Sequence, residues 1–168
     1  MGLASVEEGK AVKRLFVDLD ICDRCPECVV DCSYFYHPSN NGITELREKA
    51  TFALICRHCK EGTCVKACPN EALERGEDGI LRRSNMLCIK CNSCVVACPF
   101  GTIQDEVIPF LTSACDVCVG RAEDTDPVCV STCPHGALKY GEFSEDPENK
   151  IYLVRENVIV HTTSWERE

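Results

Sequence analysis

The run Cys88-Ile-Lys-Cys91-Asn-Ser-Cys94-Val-Val-Ala-Cys98-Pro99 decides how this chain is read. Cysteines at i, i+3 and i+6 of a coiling loop turn three sulfurs toward one centre. The fourth lies about one helical turn further on. Pro99 then bars the helix from continuing, because a proline disfavours helical geometry in the residue before it.

Outward from this run, the same core recurs. Cys28-Val-Val-Asp-Cys32, Cys64-Val-Lys-Ala-Cys68, Cys94-Val-Val-Ala-Cys98 and Cys129-Val-Ser-Thr-Cys133 align without gaps. The last three continue with Pro, two variable residues, a small residue and Leu or Ile. Each core has two further cysteines upstream: Cys22 and Cys25, Cys56 and Cys59, Cys88 and Cys91, Cys115 and Cys118. These groups use all 16 cysteines of the 168 residues. Internal repetition of this kind identifies the structural unit before any other feature.

Composition narrows the function. Cysteine this dense signals a covalent or metal scaffold, and only 59 apolar residues remain once the cysteines are set aside. A side-chain core alone is therefore not expected to suffice, and loss of what the cysteines bind is expected to unfold the domain. No apolar stretch reaches transmembrane length. Residues 1–13 carry Glu7 and Glu8 and no apolar run of signal length, so the expected location is cytoplasmic. In that compartment thiols stay reduced, and dense cysteines read as ligands rather than disulfides. The net charge of −9 argues against nucleic acid as partner but allows a basic protein surface. No nucleophile–base motif, phosphate loop or dinucleotide fingerprint appears, and Gly76-Glu-Asp-Gly79 reads as a turn. The expected role is therefore non-catalytic.

A zinc site needs four tetrahedral ligands, and the second and fourth groups could imitate one. The first and third groups, with successive two-residue spacings, suit a cubane with an iron at each corner. The third group with its Pro matches the bacterial ferredoxin run, whose fourth Cys serves the other cluster. The spacing thus favours iron–sulfur over zinc.

The pattern resembles the four-cluster ferredoxin-like electron-transfer subunits of molybdenum and tungsten oxidoreductases, such as formate dehydrogenase, dimethyl sulfoxide reductase and nitrate reductase, and of related hydrogenase modules. The likeness covers about Leu15 to Leu138, with Cys56-Arg-His-Cys-Lys-Glu-Gly-Thr-Cys-Val-Lys-Ala-Cys-Pro69 and Cys115-Asp-Val-Cys-Val-Gly-Arg121 as its specific parts. It implies an α+β fold of two ferredoxin-like dicluster modules with a β-rich C-terminal extension. One module would join the groups at 22–32 and 115–133, the other those at 56–68 and 88–98. Residues 1–138 would form this double domain and 139–168 the extension, a subunit contact.

The resemblance also implies four 4Fe-4S clusters with exchanged ligands. One would take Cys22, Cys25, Cys28 and Cys133, a second Cys32, Cys115, Cys118 and Cys129. A third would take Cys56, Cys59, Cys64 and Cys98, and a fourth Cys68, Cys88, Cys91 and Cys94. Ser33 departs from the Pro of the other groups but removes no ligand. The implied partner is a large catalytic subunit of molybdenum- or tungsten-pterin type, met by the first cluster. A further redox subunit, a flavoprotein or a ferredoxin, would lie beyond the outward clusters. A free polyferredoxin, a subunit of a hydrogenase or carbon monoxide dehydrogenase, and a zinc adaptor are the alternatives.

Other residues have plainer readings. Val29, Val65, Val95 and Val130 should pack over the bound groups. His58 and His135 read as loop residues near ligands, and His37 and His161 have no partners in sequence. Arg57, Lys60, Lys66 and Lys90 read as solvated, as do the acidic runs at 123–126 and 145–148. Trp165 reads as a subunit anchor or a frayed end. Strands are expected at 15–19, 151–154 and 158–160, short strands around the turn at 76–79, and polar loops at 36–45 and 120–127.

Overall fold

The computed structural model describes residues 12–26, 28–32, 42–105, 115–118, 122 and 125–163. Ser33, His37 and Trp165 lie outside them, as do residues 36–41 of one expected polar loop and residues 120, 121, 123 and 124 of the other. The fold is α+β, with short helices and two sheets.

The larger sheet has the order β4-β1-β6-β5. Strand β1 (Lys13–Asp18) buries three consecutive residues, Leu15, Phe16 and Val17, so both of its faces are covered there rather than one. It pairs antiparallel with β4 (Leu138–Glu142) and parallel with β6 (Val158–His161), and β6 pairs antiparallel with β5 (Ile151–Arg155). The C-terminal strands therefore close the sheet, with β6 inserted beside the N-terminal strand. The smaller sheet is the hairpin of β2 (Leu73–Arg75) and β3 (Leu81–Arg83), turning at Gly76 to Gly79, where φ at Gly79 is +77°.

Helix α1 (Leu19–Cys22) is capped by Asp18, whose carboxylate accepts from the Ile21 N–H. Helix α2 (Gly42–Ala50) runs into a π-helical turn, Thr51–Ile55. A loop was expected as far as residue 45, but the helix begins at Gly42. Ile43, Leu46 and Ala50 recur on one face and are buried, which anchors the segment despite its charged residues. Short helices α3 (Thr63–Lys66), α4 (Ser93–Ala97) and α5 (Val128–Thr132) fall inside the Cys-x3-Cys pieces of the last three groups. Residues 28–32 of the first group are irregular instead. There the Asp31 N–H donates to Thr132 Oγ1 at 3.0 Å rather than closing a turn.

Two apolar cores result. One, under the sheet, gathers Leu15, Val17, Leu46, Leu138, Val158, Val160 and neighbours, with Cys22, Cys115, Cys129 and Cys133 packed against it. The other, under the hairpin, is smaller: Phe52, Leu73, Leu81, Cys94 and Ile103, with Cys56, Cys64, Cys68, Cys88 and Cys98 around it.

Candidate metal centres

The cysteine loops repeat in backbone conformation as well as in sequence. The residue before the second cysteine of Cys-x2-Cys has positive φ in the second, third and fourth groups: His58, Lys90 and Val117. After each Cys-Pro a second shared turn follows. The N–H of Glu71, Gly101 and Gly136 donates to the carbonyl of Cys68, Cys98 and Cys133 at 3.3, 3.3 and 3.4 Å, and all three donors have positive φ. Left-handed residues are costly for anything but glycine. Their recurrence at His58, Glu71, Lys90 and Val117 shows that the loop geometry outweighs that cost. Such turns aim successive N–H groups into a concavity that suits anionic ligands.

The structure brings the cysteines together across groups. Cys22, Cys25, Cys28 and Cys133 line one cavity of about 220 Å³, together with Val29, Val30 and Arg47. Cys68, Cys88, Cys91 and Cys94 line a second cavity. Cys129 is within electrostatic reach of Cys115, Cys118 and Cys32, and Cys56 of Cys59 and Cys98, with Cys64 near Cys56 and Cys98. None of the 16 cysteines, all of them among the described residues, is in a disulfide.

Hydrogen bonds tie the groups in pairs. Thr63 Oγ1 at the start of α3 donates to the Ala97 carbonyl at the end of α4, 3.0 Å away. Thr132 Oγ1 accepts from Asp31 and donates to the Val128 carbonyl at 2.8 Å. Other contacts end on sulfur: Ala72 N–H donates to Cys68 Sγ at 3.2 Å and Val117 N–H to Cys115 Sγ at 3.4 Å.

The thiols divide by environment. Burial pushes Cys22 and Cys129 up to about 12 and Cys115 up to about 11, and neighbouring cysteines add to the shift at each. Cys98 goes the other way. Burial opposes its thiolate, but the Thr102 hydroxyl and the N–H groups of Ile103, Phe100 and Thr102 bring it down to about 7. Ser93 lowers exposed Cys91 through its side chain and its N–H. Four thiols crowded in a desolvated cavity cannot all ionise without a cation. A metal centre supplies that cation and takes thiolates as ligands. The donor set therefore fits an iron–sulfur group.

Neighbouring residues fall into place. Val65, Val95 and Val130 are half-buried against the cysteines, whereas Val29 is 62 % exposed and Val30 takes the buried place in its group. Val29 does line the first cavity. His58 is exposed, and its Nε2 lies 2.9 Å from the Phe52 carbonyl. His135 is exposed, as are Arg57, Lys60, Lys66 and Lys90. His161, without a partner in sequence, lies 3.1 Å from Asp18 Oδ2.

Sequence reasoning missed two acids on α2. Glu45 Oε2 accepts from the Cys115 N–H at 2.5 Å, and Glu48 clamps Arg83 with two bonds of 2.6 Å. Their spacing of three, with apolar Ile43 and Leu46 beside them, was the available signal.

Comparison with known proteins agrees with this chemistry. A family model described as a 4Fe-4S dicluster domain matches residues 47–143, and one described as a 4Fe-4S binding domain matches residues 19–34. The probable anaerobic dimethyl sulfoxide reductase chain YnfG of Escherichia coli (strain K12) is 31% identical over 150 residues, 77% of this chain and 73% of the relative. The thiosulfate reductase electron transfer subunit PhsB of Salmonella typhi is 32% identical over 140 residues, 74% of this chain and 72% of the relative. The putative oxidoreductase AegA of Escherichia coli (strain K12) is 33% identical over 137 residues, but this chain spans only 20% of its length.

Proposed function

The chain belongs to the 4Fe-4S dicluster family of iron–sulfur electron-transfer proteins, and from that premise we propose that it relays single electrons for a catalytic oxidoreductase subunit containing molybdenum or tungsten. The ligand sets proposed are Cys22, Cys25, Cys28 and Cys133; Cys32, Cys115, Cys118 and Cys129; Cys56, Cys59, Cys64 and Cys98; and Cys68, Cys88, Cys91 and Cys94. The observation that carries this reading is the crossing of Cys133 into the cavity of the first group and of Cys68 into that of the third.

Each cluster, when bound, supplies a one-electron couple. The chain's own residues do the rest. Thiolates of one Cys-x3-Cys piece serve different sets, so each short helix fixes the separation of two centres. Thr63 ties α3 to α4, and Thr132 ties α5 to the irregular segment at 28–32. Backbone N–H groups donate to the sulfurs of Cys68 and Cys115. Each apolar core backs its own set of cysteines.

The two cores support a two-module division, one holding the groups at 22–32 and 115–133 and the other those at 56–68 and 88–98. Residues 1–138 then form the double dicluster domain and 139–168 the extension. Strand β5, an edge of the sheet, is the part of that extension offered to a partner subunit. The first set faces the catalytic subunit, and the sets of the second and third groups face a further redox partner, a flavoprotein or a ferredoxin. A cytoplasmic location suits this assignment, and among the described residues no helix is long and apolar enough to cross a membrane.

Anaerobic purification of the native complex tests the reading. About sixteen irons and sixteen sulfides per chain are expected, with a catalytic oxidoreductase co-purifying. A colourless zinc protein, or an iron-loaded monomer with no such partner, overturns it.

A further inference from the structure

Among the side chains that line the cavity of Cys68, Cys88, Cys91 and Cys94, two are cationic: Lys90, which is exposed, and Arg83 at the end of β3, whose side chain is only 2 % exposed. Glu48 of α2, 5 % exposed, grips Arg83 through Nε and Nη2. The third nitrogen, Nη1, is buried with no hydrogen-bond partner. A buried donor without an acceptor is costly, and a native structure rarely leaves one without a reason.

The orientation of the pair supplies the reason. Glu48 lines a different cavity, of about 450 Å³, together with Glu45, Lys49 and Arg155; Arg83 lines both. The carboxylate thus stands behind the guanidinium, and the guanidinium stands at the cysteines. An arginine guanidinium stays protonated in proteins, and this one is desolvated and fixed in place by Glu48, three conditions that make a charge effective at a distance.

We propose that Arg83, clamped by Glu48, sets the reduction potential of the centre held by Cys68, Cys88, Cys91 and Cys94, raising it by favouring the added electron and offering Nη1–H to a sulfur. This rests on the ligand set proposed above. Hydrogen bonds to sulfur and local charge are two of the levers by which a protein tunes such centres. Glu48 has two effects on that centre. It holds the cation in place, and its own charge offsets part of the cation's field.

The pair gives opposite signs on mutation, which a merely structural role would not. In the holoprotein, potentials are read by redox titration followed by electron paramagnetic resonance, and the Cys91→Ser variant identifies the signal of this centre. Arg83→Gln is expected to lower that centre's reduction equilibrium about tenfold, about 59 mV for one electron. Glu48→Gln is expected to raise it, and Arg83→Lys to stay near the parent. The double variant Arg83→Gln/Glu48→Gln leaves no unpaired buried charge, so it remains usable if Arg83→Gln fails to fold, and it too should fall below the parent. If all signals survive Cys91→Ser unchanged, the ligand set falls and the inference with it. If one signal responds to Cys91→Ser but Arg83→Gln and Glu48→Gln leave its potential in place, or move it in the same direction, the inference alone is overturned.

Discussion

The cysteines packed on the four-stranded sheet and those packed on the β2–β3 hairpin use the same turns in different surroundings. On the sheet side a broad apolar core backs the sulfurs, and burial drives Cys22, Cys115 and Cys129 far above the ordinary thiol range. On the hairpin side the core is thin. Burial raises Cys56, Cys64 and Cys94 there too, but Cys91 is exposed, and Ser93 and Thr102 hold Cys91 and Cys98 below that range. The exposed apolar residues Met86, Leu87, Ile89, Val96 and Phe100 also lie in this stretch. Repetition of a local motif therefore does not give equivalent sites. The medium behind the motif differentiates them, and it comes from strands distant in sequence.

Removing the metal should break the symmetry of the two regions most sharply. Anaerobic iron chelation is expected to abolish amide protection throughout residues 56–103, because the hairpin core is too small to stand without bound groups. Strands β1 and β6 should keep residual protection, since Val158, Ile159 and Val160 are at most 1 % exposed there. Hydrogen exchange followed by mass spectrometry reads both regions at once. Equal loss in the two would erase the distinction.

Core truncation comes next in size. Leu15, 1 % exposed and central to the sheet-side core, should cost about 3–5 kcal/mol as Leu15→Ala. Leu81→Ala should cost nearer about 2 kcal/mol, because a thin core collapses more readily into the space left behind. Denaturant unfolding of the two holo variants measures the difference, and a larger loss at Leu81 would invert the comparison.

The hairpin side was the more legible in sequence. Its cysteine runs, its Gly76–Gly79 turn and its short strands are all local features. The sheet side was legible only strand by strand. Residues 15–19, 151–154 and 158–160 read as extended, but the parallel pairing of Leu15 with Val158 joins segments more than a hundred residues apart. Nothing in local periodicity encodes that. Helix α2 was obscured because its buried face carries Glu45 and Glu48, and acids argue against burial until their partners are known. Those partners, the Cys115 N–H and Arg83, both lie far downstream in the chain, one on each side of the cysteine group at 88–98. Glu45→Ala tests the sheet-side contact. Leaving the Cys115 N–H without its acceptor should cost about 1–3 kcal/mol in denaturant unfolding, and no change would mean that α2 does not brace this region.

The smallest expected effect separates two turn-capping acids, one in each region. Asp78 accepts from the Ile80 N–H at 3.1 Å and from Arg82 at 2.9 Å. Asp146, capping the turn at Pro147–Asn149, accepts from Asn149 through its side-chain amide at 2.6 Å and its N–H at 3.2 Å. Both carboxyls are held below the ordinary value of 3.8, Asp78 chiefly by the Ile80 N–H and Asp146 chiefly by the Asn149 amide. A folded pKa below the unfolded one stabilises the fold above the unfolded value, and that contribution is lost as pH falls through the folded value. Both turns should therefore loosen only on the acid side of the carboxylate range. Salt distinguishes them. The Asp78–Arg82 pair is solvent-exposed and screened by added ions, whereas the Asp146 bonds are to neutral groups. Raising ionic strength should shift the acid titration of the Ile80 amide signal upward and leave that of Asn149 in place. Matching salt responses would mean that Arg82 contributes nothing at Asp78, and that the hairpin turn rests on the Ile80 N–H alone.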